Sequence, residues 1–445
     1  MVVSITKSYK HPLALLYVGL LFLACMAQAI DPRSLLDTRE YWSAVNYWFH
    51  LETLKLDTFG DRWMYVTRRT PGFPFLLMIL GIKGTLLLQF IAGLLSPFGV
   101  LKILNYFNRS INVSLFWVLW LTAPLQFFYT ALSMPEIITQ ALVVFWMVLL
   151  NKQHNIGAGI ALLLLILLKP VFLVFMIPLA IALLSKWMKL GRLMPLKWNN
   201  WIPKSVNATN AWSLFIPFLG ILAIAGINHT RWNVFHISSV STTNFYEYNR
   251  YQTLIESKGQ EMADSIYAYE SKVLDSMSNF SLEKGKLLEK LNSNTLKYYP
   301  FTYGKLHIKG MIQMFLDPGR YDAMVFLKWT PISGFLGIKY GYKSTKDRPL
   351  YEWIYMGLFL GVNMIKMILI LWILFVKVKG KFLQHTFLLF SLLLLLLYAT
   401  AIGSVGTARY VVPVYPIIIT VIVLYFPSKK ILMTQDEEEI NSPKG

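Results

Sequence analysis

Leu13-Ala-Leu-Leu-Tyr17-Val-Gly-Leu-Leu-Phe22-Leu-Ala-Cys25-Met-Ala-Gln-Ala-Ile30 runs without one charged side chain. It is long for a signal-peptide core and has no convincing cleavage site, so it reads as a retained membrane span. The rest of the chain agrees with it. Its 445 residues are 56% apolar and only 15% charged, and the mean hydropathy is +0.50. A soluble domain carries about 25% charged residues, so an ordinary soluble enzyme is excluded. An aromatic share of 15% excludes disorder as well.

Working outward from that run, about ten apolar segments are long enough to cross a bilayer, alone or sheltered by protein. They lie near 12–30, 84–104, 112–131, 135–151, 156–168, 171–185, 212–228, 352–376, 382–401 and 408–426. The expected fold class is an all-α integral membrane protein with a long first outer loop and one larger outer soluble region. Lys169-Pro170 breaks the fifth span from the sixth, because proline lacks a donor and clashes with the preceding turn. The net charge of +19 and pI near 9.7 would suggest nucleic acid in a soluble protein. Here the short basic clusters fall on one side if the N-terminus is inside: Lys7 and Lys10, Lys102 and Arg109, Lys152, the 186–204 loop, Lys377 to Lys381, and Lys429-Lys430. That is the positive-inside pattern, and no nucleic-acid partner is expected. The division that follows is an N-terminal membrane module 1–228 containing the outer loop 31–83, an outer region 229–351, a C-terminal membrane module 352–428 and a cytoplasmic tail 429–445. Within the outer region, 250–298 is charged and helix-compatible, and Leu306 to Leu316 has the pattern of an amphipathic segment lying on the membrane.

The polar residues near the outer span ends are the candidate site. They are Asp37, Glu40 and Tyr41; Arg68 and Arg69; Glu136; Lys169; Arg231, Asn244 and Asn249; Asp317 and Arg320; and Arg409 with Tyr410. Ionisable groups at membrane depth are costly and face a cavity or a partner. An early carboxylate among several cations suits attack by a hydroxyl on a carbon whose leaving group is a phosphate: the cations hold the phosphate and the carboxylate takes the proton. There is no Gly-rich phosphate loop and no dinucleotide fingerprint, so neither a nucleotide nor an organic cofactor is expected. Cys25 is the single cysteine, which excludes an intrachain disulfide and a cysteine metal site. Trp42, Tyr47, Trp48, Trp63 and Tyr65 read as a membrane-interface belt, with stacking on a sugar as the sharper alternative.

Five stretches carry a resemblance to the polytopic C-type (GT-C) glycosyltransferases, in the branch related to protein O-mannosyltransferases and lipid A aminoarabinose transferases. Asp37-Thr-Arg-Glu40-Tyr41 followed by Ala44 resembles the family's Asp-x-x-x-Tyr-x-x-x-Ala element. Arg69-Thr-Pro71-Gly72-Phe73-Pro74 is similar to its Arg-x-Pro-Gly-Tyr-Pro element. Ser133-Met-Pro135-Glu136 resembles a Ser-Glu-Pro element with the last two residues exchanged. Leu168-Lys169-Pro170 and Ala408-Arg409-Tyr410-Val-Val-Pro413 resemble the remaining two.

The resemblance implies inverting transfer of a sugar from a polyprenyl-phosphate donor to an acceptor hydroxyl at the outer face of the membrane. The acceptor would be a lipid-linked glycan, a cell-envelope glycolipid or a protein. Asp37 would be the general base, with Glu40 beside it, and Arg69, Arg68, Lys169 and Arg409 would bind the donor phosphate. Tyr41, Glu136, Arg231, Asn244 and Tyr410 would position substrate. The i, i+3 spacing of Asp37 and Glu40 puts both on one helix face and leaves open whether a divalent cation bridges them. A bacterial cytoplasmic membrane is the expected location. The rival readings are a transporter or lipid flippase, which would show internal symmetry and midplane charges, and a polysaccharide polymerase or O-antigen ligase, which needs no acidic motif after the first span.

Overall fold

The computed structural model describes residues 11–32, 35–49, 68–107, 111–187, 211–232, 234–277, 282–328, 350–378, 386–403 and 406–426. Trp63, Tyr65, Lys7, Lys10, Arg109, most of the basic 186–204 loop, Lys379, Lys381 and the tail 429–445 lie outside the described residues.

Every described element is helical. Five helices are long and apolar enough to cross a membrane: α1 (Pro12–Ile30), α3 (Gly72–Phe107), α9 (Trp212–Trp232), α16 (Leu350–Val378) and the terminal run containing α18 (Tyr415–Tyr425). A sixth is α4 (Val113–Leu121) with α5 (Pro124–Ala131), if this pair, bent by 59° where Pro124 interrupts it, counts as one span. Four expected spans form shorter apolar helices of 10–17 residues. These are α6 (Glu136–Asn151), α7 (Asn155–Leu168), the 3-10 turn Pro170–Phe175 running into α8 (Met176–Trp187), and α17 (Thr386–Ile402).

α3 is not one continuous helix: Gly81 has non-helical backbone (φ 62°, ψ −176°), so two helical segments meet at a kink there. The segment from Gly72 lies in what reads as the outer loop, and the break falls close to the start that hydropathy gives the second span.

The terminal helix is the hub. In its apolar window 72% of residues are buried, against 17–28% for the other four long helices. It packs among α3, α4, α6, α16 and α17. The core around it is aromatic, with Trp120 near Tyr415 (6.1 Å between centroids), Phe116 stacked on Trp120 (5.6 Å) and Trp146 against Phe175 (5.3 Å). Helices in a membrane gain little from the hydrophobic effect when they associate, so such close packing holds the bundle. Two buried threonine hydroxyls are satisfied locally: Thr139 donates to the Pro135 carbonyl (2.6 Å) and Thr420 to that of Pro416 (2.7 Å).

Between α9 and α16 lies a polar helical block. It holds α10 (Val240–Asn244), a π-turn (Phe245–Arg250), α11 (Tyr251–Lys258), α12 (Gln260–Ser276), α13 (Leu282–Tyr298), α14 (Pro300–Leu316) and α15 (Arg320–Leu327). Buried Arg250 ties it together through Glu270, the Thr295 hydroxyl (2.7 Å) and the Leu291 carbonyl (3.0 Å). The described residues of the charged 250–298 stretch are almost all helical, and the segment Leu306–Leu316 belongs to α14.

Candidate functional site

A cavity of about 470 Å³ opens where several helix ends meet. Arg69 and Thr70 precede α3, Glu136 begins α6, Leu168 closes α7, Ile402 closes α17, and Arg409 precedes α18. These ends come from stretches hundreds of residues apart, and each is shaped by its local sequence.

Asp37 lies in the first turn of α2 (Leu36–Phe49), where a carboxylate is favoured by the helix dipole. Tyr41, one turn on, packs edge-on against Phe73 (4.9 Å), and the Trp48 indole donates to the Arg69 carbonyl (2.9 Å). The Arg69 turn is in turn pressed against the end of α7. A Cβ on Gly72 would lie 2.6 Å from the Leu167 carbonyl oxygen, so the glycine after Pro71 is required for that approach. Lys169 is extended (φ −146°, ψ 113°), as a residue before proline must be, and this ends α7. Gln89, buried in α3, donates to the carbonyls of Tyr129 (2.7 Å) and Leu132 (2.6 Å), fixing the chain that leads into Glu136. Arg409 sits in a 3-10 turn braced by Asp317, which accepts from the Ala408 N–H (2.9 Å). Gly406 before it touches backbone: a Cβ there would fall 1.9 Å from the Gly310 oxygen.

The charged groups interlock. Asp37 binds Arg409 through Oδ2 and Arg69 through Oδ1 (3.1 Å). Arg69 also donates to Glu40 through Nε (3.0 Å) and Nη2 (2.7 Å), and its guanidinium lies over the Tyr41 ring (4.6 Å). Arg68 donates to Asn244 Oδ1 (3.1 Å) and faces Glu247 (3.5 Å) and Glu40 (3.7 Å). Lys169 pairs with Glu136 (2.7 Å) and lies over the Tyr410 ring (5.3 Å), which Arg409 approaches as well (5.1 Å). The charged lining is four cations and two carboxylates, so the cavity face has two cationic charges in excess. Glu40 and Glu247 stand behind it, bound to the arginines. Burial alone would raise the Asp37 pKa, but Arg409, Arg69 and Arg68 outweigh it and hold the carboxyl well below the usual carboxylate range.

Of the residues expected from sequence, Asp37, Tyr41, Arg68, Arg69, Glu136, Lys169, Asn244, Arg409 and Tyr410 all line this cavity. Glu40 does not line it but holds Arg68 and Arg69 from behind. Arg231 is set apart at the end of α9, over the Trp48 ring (5.9 Å). Arg320 is drawn away to Glu352, bracing the chain near Asp317.

Sequence reasoning missed Glu247, Ser238, Tyr303, His307, Tyr129 and Asp322. Ser238 donates to the Arg68 carbonyl (2.6 Å). Asp322 is buried against Tyr129, and burial first of all pushes its pKa up to about 7. A lone acid in the apolar stretch Asp322-Ala-Met-Val-Phe was the signal available for it.

The residues do not fit a resident divalent cation. The Asp37 and Glu40 oxygens that would ligate one are bound to guanidinium groups. Among the described residues no group of three or more His, Cys, Asp or Glu side chains converges.

No family model matches the chain, and no curated protein and no solved structure matches it.

Proposed function

We propose that the protein is an integral membrane glycosyltransferase that moves a sugar from a polyprenyl-phosphate donor to an acceptor hydroxyl, with inversion. The observation that carries this reading is the convergence of Asp37, Arg69, Lys169 and Arg409 on one cavity at the ends of apolar helices. In this reading all ten apolar segments cross or enter the bilayer, the four short helices being sheltered by their neighbours. The cavity end of the bundle is the outer one, because the ends meeting there are those that the basic loops leave outside. A bacterial cytoplasmic membrane is the setting, and α14 lies at its outer surface with Phe301, Ile308 and Ile312 exposed.

The donor phosphate enters the cationic face and takes Arg409 and Arg69 from Asp37. The freed carboxylate accepts the proton of the acceptor hydroxyl. The acceptor oxygen bonds to the anomeric carbon from the side opposite the phosphate. The bond from that carbon to the phosphate oxygen breaks, and its electron pair leaves with the phosphate. A phosphodiester with one negative charge thus becomes a monoester with a second. Lys169, Arg409 and Arg69 bind that second charge more strongly as it grows, which is how such groups accelerate a reaction. Acceptors in order of preference are a lipid-linked glycan, an envelope glycolipid and a protein.

The test is transfer from radiolabelled polyprenyl-phosphate sugars in membranes containing the wild-type chain or Asp37→Asn. Transfer by the wild type and its loss in the variant at equal expression supports the reading. Equal transfer by both removes Asp37 and the mechanism with it.

A further inference from the structure

Opposite in character to the charged groups, one wall of the cavity is neutral. It is made of Ser241, Asn244, Phe245 and Asn249 from one continuous helix, and of Tyr303 and His307 from α14. The helix changes its winding here: Phe245 to Arg250 is a π-turn. In an α-helix, residues five apart diverge by about 140° around the axis. The i→i+5 pairing of a π-turn stacks them instead. The π-turn is therefore what brings Asn244 and Asn249 to the same cavity. Such a turn costs hydrogen-bond geometry and tends to persist at functional sites.

The wall is held from behind. Arg250 anchors the end of the π-turn to Glu270 and Thr295, Tyr246 stacks on Tyr267 (5.2 Å), and Asn292 donates to the Thr242 carbonyl (3.0 Å). Within the cavity, Phe245 stacks on Tyr303 (5.2 Å), and the Tyr303 hydroxyl shares a 3.0 Å hydrogen bond with the His307 ring. Asn244 accepts from Arg68 through Oδ1 (3.1 Å). That fixes its amide orientation and leaves its NH₂ group to donate elsewhere. The intervening Glu247 is turned to Arg68 (3.5 Å) and brings no charge to this wall.

We infer that this wall seats the transferred group, and that the group is a neutral polyhydroxylated sugar rather than a charged amino sugar. Two amides, hydroxyls and aromatic faces match sugar hydroxyls and C–H faces. An ammonium-bearing sugar would need a carboxylate on this wall to answer it, and none of the residues that make the wall carries one. The inference rests on the polyprenyl-phosphate donor reading and deepens it.

The test is equilibrium binding to the purified full-length chain in lipid nanodiscs. Three probes are compared: polyprenyl monophosphate, and polyprenyl phosphate carrying either a neutral hexose or an amino sugar. The neutral-sugar lipid is expected to bind about tenfold more tightly than the bare phosphate, the amino sugar without that gain. Asn249→Ala should erase the gain and leave bare-phosphate binding within about twofold, whereas Asn244→Ala should erase the gain and also weaken bare-phosphate binding, because Asn244 holds Arg68. Tyr303→Phe, which deletes only a hydroxyl, serves where an asparagine variant melts early. No preference for the neutral sugar, a preference for the amino sugar, or equal weakening toward all three lipids overturns the inference while the donor reading stands. If polyprenyl phosphate itself fails to bind, or Arg409→Gln does not weaken it, the donor reading fails and this inference with it.

Discussion

Asp37 and Arg409 stand 372 positions apart in the chain and form one ion pair at the cavity face. The pair joins the first turn after the first apolar helix to the turn before the last one. Arg69 shares the carboxylate (3.1 Å), so Asp37 is held ionised and weakly basic until something anionic takes its partners.

The first prediction concerns this pair. Asp37→Asn should lower transfer by at least about 100-fold, the usual worth of a general base. It should also destabilise the chain by about 1–3 kcal/mol, less than a fully buried broken pair because both side chains are partly open to solvent. Arg409→Gln should cost about 10²–10³ in kcat. In thermal melts the double variant Asp37→Asn/Arg409→Gln should lose less than the sum of the singles. Additive losses would mean that the two charges do not support each other. In kinetics, polyprenyl phosphate should compete with the donor and not require bound acceptor, because in the proposed mechanism the phosphate releases Asp37.

A second pair behaves differently. Lys169 and Glu136 are more deeply buried, with side-chain exposures of 9% and 1%, and the second oxygen of Glu136 has no hydrogen-bond partner. Glu136→Gln and Lys169→Met should each destabilise by about 3–5 kcal/mol, since each strands a buried charge. The double variant should recover much of the loss. Glu136→Gln should leave kcat/KM reduced less than Asp37→Asn does. Singles that melt like the wild type would remove the structural role assigned to this pair.

The backbone contact before Arg409 yields a third prediction. Gly406→Ala places a methyl 1.9 Å from the Gly310 oxygen, and no side-chain rotation relieves a clash between main chains. The turn carrying Arg409 must move, so lipid-phosphate binding should fall about tenfold or more, the scale of losing one charge-assisted contact. Gly226→Ala, with nothing within 4 Å of its Cβ, is the control and should bind as the wild type does. Equal binding by both variants would show that the position of Arg409 tolerates the shift.

Much of this site was legible in the sequence because its members sit beside strong local signals. Lys169 precedes a proline, Arg69 precedes Pro71-Gly72, and Arg409 opens an apolar run. Apolar content likewise revealed the helical class and the five or six helices long and apolar enough to cross a membrane. Span ends were harder to read. The outer loop reads as running to Lys83, yet a helical segment already begins at Gly72 and meets the span at the Gly81 break. Asn244 and Asn249 were legible as candidates, but the wall they form together was not, for a different reason. Asn244 and Asn249 share a face only because the helix winds as a π-turn there, and period analysis assumes 3.6 residues per turn. Tyr303 and His307 reach the cavity through packing of α14, which no local pattern encodes. Arg231 was misplaced by proximity in sequence: it ends the helix just before the cavity-lining segment, but leans over Trp48 instead.

The last prediction is a pH dependence of stability carried by Asp322. Burial raises its pKa to about 7, and nearby Tyr129 and Arg409 only partly offset this. In the unfolded chain it titrates near 3.9. Below about pH 4 both states hold the proton, and this group contributes no pH dependence. As pH rises from about 4 to 7 the unfolded chain gives up the proton and the folded one keeps it. The folded state therefore loses stability across that window, by up to about 1.4 kcal/mol per pH unit, and levels off above it. Asp37 acts in the opposite sense but only in acid, as pH falls below its unfolded value of about 3.9 toward its lowered folded pKa. Burial lowers the His236 pKa, so that group acts in the opposite sense in the same range, and the difference between the wild type and an Asp322 variant from pH 5 to 8 is what reports Asp322. The wild type should melt lower at pH 7 than at pH 5, and Asp322→Asn, which keeps a neutral group of the same shape, should show a flatter profile. The same slope in both proteins would assign the dependence to another group and leave Asp322 ionised in its buried position.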